Sequence, residues 1–135
     1  MDPATLNLVL HGGNYAACTL LPRAVTVKIY DNAAAQAREK EKPNKEADVA
    51  WKMFGIVGGA GAVGLAIAGK HATGGELAMV NGAVAFCNLA AAGLTLKHDF
   101  MKDDMRQELR LSILGLGLGI GAYAATECVK TLIRK

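Results

Sequence analysis

Hydrophobic and polar residues are sorted along this chain in blocks. Four blocks, residues 3–22, 53–69, 77–96 and 111–126, contain no Asp, Glu, Lys or Arg and fill more than half of the 135 residues. An α-helix crosses the hydrocarbon core of a bilayer with about 17 to 25 mostly apolar residues. A helix on the surface of a soluble protein needs a polar face, and residues 77–96 offer none. The blocks therefore predict an all-α chain, an integral membrane bundle of four transmembrane helices. Their expected positions are 5–25, 47–69, 77–96 and 109–128 within a single membrane domain spanning 1–135. A soluble, Ala/Gly-rich helical bundle is the rival reading.

The polar connections, 26–46 and 97–108, have structure of their own. Residues 33–42 are mostly strong helix formers and stop at Pro43. The first connection is thus expected to be partly helical, with helix one continuing as a solvated stalk and Pro22 ending or kinking it. In the second connection Met101, Met105 and Leu109 recur every four residues, the spacing of an amphipathic helix. Trp51 falls where an indole ring would meet a membrane interface.

Charge adds an orientation. The stretches 23–52 and 97–110 carry eleven Lys and Arg, against four in the rest of the chain. The positive-inside rule places both long connections on the cytoplasmic, matrix or stromal side, with both termini opposite. A net charge of +3 is too small to argue for nucleic acid. The start Met1-Asp2-Pro3 lacks the basic region of a cleavable signal, so insertion by the chain's own spans is expected. Composition explains a mean hydropathy of only +0.23: the apolar blocks are built more from Ala and Gly than from Leu, Ile and Phe. Cys18, Cys87 and Cys128 sit in or at the edge of different blocks without metal or disulfide spacing, and are expected to be small buried hydrophobes.

Two kinds of pattern mark the blocks. The second and fourth carry glycines four apart: Gly55 and Gly59, Gly64 four after Ala60, and Gly115, Gly117, Gly119 and Gly121. On a helix Gly115 and Gly119 share one face, and Gly117 and Gly121 nearly the opposite one. In lipid, helices associate through close packing of small residues, so a helix grooved on two sides suits two neighbours. The run Gly115–Gly121 resembles that of ring-forming ATP synthase proteolipids, a resemblance that implies tight helix packing. The first and third blocks carry polar stripes, Asn7, His11, Asn14 and Cys18 on one helix and Asn81, Asn88 and Thr95 on another. Polar groups inside a bilayer face partners or water. These are expected to form hydrogen bonds between helices. His11, followed by Gly12 and Gly13, is also a candidate ligand for a haem or chlorophyll.

Gly59-x-Gly61-x-x-Gly64 matches a dinucleotide fingerprint, but no acidic residue follows about 20 positions later, where the ribose would need one. Glu127, near the end of the fourth block, is expected to pair with Lys130 or Arg134. No catalytic constellation and no metal set emerge. The expected function is a non-catalytic accessory subunit of a multi-subunit, energy-converting membrane complex, in a mitochondrial inner or chloroplast thylakoid membrane. Its partners would be other membrane subunits and the bilayer, not nucleic acid, and a porphyrin pigment or lipid could accompany it without being required. The alternatives are a small transporter or channel lined by the Asn and His residues, and a nucleotide-binding enzyme using Gly59–Gly64.

Overall fold

The computed structural model describes residues 1–98 and 105–134. Among these residues the chain is all helical apart from short connections, with no strand. The helices are α1 (Pro3–Leu20), α2 (Pro22–Lys28), α3 (Ala33–Glu41), α4 (Lys45–His71), α5 (Gly74–Lys97) and α6 (Gln107–Ile133). Three of them, α4, α5 and α6, are long and apolar enough to cross a membrane. The sequence pattern suggests four such helices. The first is uncharged and has 18 residues, but Asn7, His11 and Asn14 lower its hydropathy below that of the other three.

Helix one does not extend as a stalk. It stops at Leu20, and Leu21 leaves the helical region at φ −130°, ψ 47°. The cause is Pro22, which lacks an N–H and disfavours helical geometry in the residue before it. The chain restarts with Pro22 in the first turn of α2, where a missing N–H costs nothing. Two asparagines then set the next starts. Asn32 Oδ1 accepts from the Ala35 amide at 2.8 Å, and Asn44 Oδ1 from the Ala47 amide at 3.0 Å, each satisfying one of the free N–H groups of a helix start. At the far end of α4, Ala72 and Thr73 lead to Gly74 at φ +51°, a left-handed conformation that favours glycine.

The long helices form two antiparallel pairs. In one, Gly55 of α4 lies beside Thr19 of α1, and Gly69 beside Asp2 and Ala4. In the other, Gly117 of α6 lies beside Ala92 of α5, and Gly82 beside Cys128. The pairs meet in a small core of Ala4, Val84, Ala85, Ile120 and Ala124, with Leu65, Val80 and Leu116 packed against it. α5 is the most enclosed element: 39% of its most apolar window is buried, against 17% for α4 and 22% for α6. Large apolar side chains such as Phe54, Val57, Ile67, Phe86 and Leu118 point outward.

At one end the two polar connections touch. Tyr30 pairs with Met105 in an isolated antiparallel bridge, and the Arg106 amide donates to the Ile29 carbonyl at 2.9 Å. Met105 is buried, but it sits in this bridge and the helix begins only at Gln107, so it does not share a continuous amphipathic helix with Leu109 as the spacing predicts; Met101 lies outside the described residues. Thr and Ser hydroxyls along the helices donate back to carbonyls one turn earlier, as Thr95 does to Ala91 at 2.7 Å. This local bond lets them sit in apolar surroundings.

Candidate functional site

The polar stripes converge on Asn88. Its Nδ2 donates to Asn7 Oδ1 at 2.8 Å and to the Val84 carbonyl at 2.9 Å. Its Oδ1 lies 3.3 Å from His11 Nε2, and with Nδ2 fixed as the donor this contact requires the Nε2–H tautomer of histidine. Asn88 and Asn7 are both buried, at 6% exposure. This joint ties α1, in one pair, to α5, in the other. Asn81 and Thr95 are buried on the same face of α5. Asn81 Oδ1 has no hydrogen-bond partner among the described residues.

Not every member of the stripes turns inward. The hydrogen bonds from α1 to α5 end at His11; one turn further along, Asn14 is exposed and makes none among the described residues. Cys18 is buried as expected, Cys128 is half-buried, and Cys87 is exposed, which corrects the expectation of three buried thiols. Cys87 directly precedes Asn88 and so lies about 100° round α5 from it, off the buried face. Coordination of a macrocycle through His11 Nε2 would forfeit its bond to Asn88. No group of three His, Cys, Asp or Glu side chains able to hold a metal occurs among the described residues.

The glycines divide into used and unused faces. A Cβ on Gly117 would stand 2.8 Å from the Asn88 carbonyl oxygen, and one on Gly121 2.7 Å from Leu89 Cγ. On α4, a Cβ on Gly55 would meet the Thr19 amide nitrogen and the Tyr15 carbonyl oxygen at 2.6 Å, and one on Gly59 would touch Tyr15 Cβ at 3.4 Å. Gly58, which the four-residue spacing does not single out, packs tightly too, with the Tyr15 ring where its Cβ would be. By contrast Gly64, Gly115 and Gly119 have nothing within 4 Å of a Cβ position. The Gly59–Gly64 run lies inside continuous α4, without the strand and turn that a dinucleotide fingerprint needs.

One charged cluster escaped sequence reading because its members are far apart in the chain. Arg23 Nη1 reaches Glu39 at 3.1 Å and Asp48 at 3.4 Å, while the Thr26 hydroxyl donates to Asp48 at 2.6 Å. It fastens α2 and α3 to the start of α4. Asp48 and the cap Asn44, a helix-start pattern, were the only local hint. At the other end of α6, Glu127 pairs with Lys130 at 2.8 Å.

Asp2 caps α1, accepting from the Thr5 amide at 2.8 Å. Burial pushes its carboxyl up, but hydrogen bonds from the Thr5, Ala4 and its own amide outweigh this and hold it below the usual 3.8. The same end is closed by the Tyr123 hydroxyl, which donates to the Met1 carbonyl at 3.0 Å. No family model, no curated protein and no solved structure matches the chain.

Proposed function

We propose that this protein is a non-catalytic, integral membrane subunit that packs into a larger membrane assembly through the unused glycine faces of its helices. The observation that carries the reading is the division on α6. Gly117 and Gly121 are filled by α5, while Gly115 and Gly119, on the opposite face, are open. In water, glycine costs about 1 kcal/mol relative to alanine in a helix interior. The filled pair recovers this through close packing; the open pair has no such return within the chain, and a neighbouring helix supplies it. An apolar groove of about 410 Å³ between α1 and α4, with Gly12, Ala16 and Ala60 among its lining residues, offers a second seat for a helix.

In this reading α1 joins α4, α5 and α6 as the fourth intramembrane helix. Its polar groups are affordable because Asn7 and His11 find partners on α5. The basic connections face the cytoplasmic, matrix or stromal side and both termini the other. An energy-converting organellar membrane is the proposed setting, from the Ala/Gly-rich, aromatic-poor composition. Other membrane subunits and lipid are the proposed partners.

Native electrophoresis after mild detergent extraction tests the reading. The wild-type chain should migrate in a complex far larger than itself. Gly119→Leu should migrate as a folded monomer with unchanged helicity, because nothing in the chain opposes the new side chain. Wild-type migration only as a monomer would overturn the proposal.

A further inference from the structure

The break between α1 and α2 opens a groove of about 710 Å³ against α3. Leu20, Leu21, Pro22 and Val27 supply apolar walls, and Arg23, Lys28 and Lys40 also line it. Leu20 and Leu21 are 76% and 61% exposed, so the groove is open to a ligand. No acidic residue lines it. Lys28 and Lys40 make no ion pair among the described residues. Arg23 spends Nη1 on Glu39 and Asp48, while its Nη2 is buried without a partner.

We infer that this groove binds an anionic phospholipid, with the phosphate between Lys28 and Lys40 and an acyl chain along Leu20, Leu21 and Val27. The inference rests on the membrane reading, which puts the end of the uncharged α1 block at the boundary between hydrocarbon and headgroups. There a phospholipid presents the same order of chemistry as the groove, apolar chain below and anion above. Lys28 and Lys40, neither of them ion-paired among the described residues, favour a headgroup of net negative charge over a zwitterionic one, whose own cation would be left against the lysines.

The full-length protein in mixed phosphatidylcholine and phosphatidylglycerol vesicles provides the test. Alkaline carbonate washing first reports insertion. Native mass spectrometry of the detergent-released protein then reports which lipid is retained. Wild type should keep phosphatidylglycerol in preference to phosphatidylcholine. Lys28→Gln/Lys40→Gln should lower that preference by about tenfold. Both lysines are exposed, so the fold is not at stake. Lys130→Gln, at the other end of the bundle and already paired with Glu127, should leave the preference unchanged. An inserted protein with no preference, an unaltered preference in the double variant, or displacement of the lipid by inorganic phosphate would overturn the lipid site alone. Extraction by carbonate would overturn the membrane reading and the lipid site with it.

Discussion

The two helix pairs solve the same packing problem with different materials. In α5–α6 the close contact is glycine against backbone and small or branched aliphatic groups: Gly117 on Asn88 and Ala92, Gly121 on Leu89. In α1–α4 one glycine, Gly55, meets the backbone near Thr19, but Gly58 and Gly59 receive the ring and Cβ of Tyr15. That ring also leans on Phe54 at a centroid distance of 5.6 Å and on His11 at 6.2 Å. An aromatic plug can rotate to absorb a small change, whereas a carbonyl fixed in a helix cannot. Apart from its own backbone contact at Gly55, α1–α4 is therefore the adjustable member of the bundle, and α5–α6 the rigid one. The joint between them is thinner than either and is fastened by polar bonds.

The sharpest way to break this comparison is to enlarge a glycine in the rigid pair. Gly117→Leu should destabilise the purified protein by about 2 to 3 kcal/mol, the usual scale for overpacking a tight site. The opposing atom is a backbone oxygen of buried Asn88, so neither a rotamer change nor a neighbouring truncation relieves it. Reversible unfolding in mixed detergent measures the loss. Equal stability of Gly117→Leu and Gly119→Leu would show that the two faces of α6 are not distinct.

The joint itself is tested at Asn88. Asn88→Leu removes the hydrogen bonds to Asn7 and His11 and leaves Asn7 Oδ1 buried without this donor. Hydrogen bonds between helices in membranes average about 0.6 kcal/mol, so the expected cost is about 1 to 2 kcal/mol, including the stranded partner. The same unfolding assay should show a loss of cooperativity, because the pairs are severed while each keeps its glycine contact. A single transition with unchanged midpoint would mean that the small apolar core joins the pairs unaided.

Much of this architecture was legible in the amino-acid sequence, and the rest was hidden for identifiable reasons. The uncharged blocks at 53–69, 77–96 and 111–126 lie within α4, α5 and α6, because the absence of charge over that length leaves few alternatives. Seven-residue spacing placed Asn81, Asn88 and Thr95 on one face, and all three are buried. The stripe on α1 read less well. Helical phase groups Asn14 with Asn7, His11 and Cys18, yet Asn14 is exposed between half-buried His11 and buried Cys18, and nothing in the spacing singles it out. The glycine faces were visible as faces; which one is filled depends on the position of α5. The Arg23–Glu39–Asp48 cluster joins residues 16 and 25 positions apart, beyond any local pattern. Pro22 signalled an interruption, but not that α2 would turn its lysine toward α3 and open a groove.

The end of the bundle where the pairs meet most closely gives the gentlest test, and one that titrates. Asp2 starts α1 next to Gly69 of α4, and its carboxyl is held below the usual 3.8 in the folded protein. A group whose folded pKa is depressed contributes stability that is full above its unfolded pKa and is lost as pH falls through the folded value. The Asp2 contribution should accordingly be constant at neutral pH and fade only below about pH 4. Asp2→Ala should cost about 0.5 to 1 kcal/mol at pH 7, the normal scale for a lost helix cap, and nothing further in acid. Asp2→Asn should retain most of the cap, since an amide oxygen also accepts from the Thr5 amide, but without the acid-induced loss. Unfolding free energies of the three proteins between pH 3 and pH 7 decide the matter. If Asp2→Asn weakens in acid as much as wild type, the titrating group lies elsewhere. If Asp2→Ala unfolds like wild type at pH 7, the start of α1 is held by Ala4 in the core and by the Met1–Tyr123 bond, and the adjustable pair does not depend on its cap.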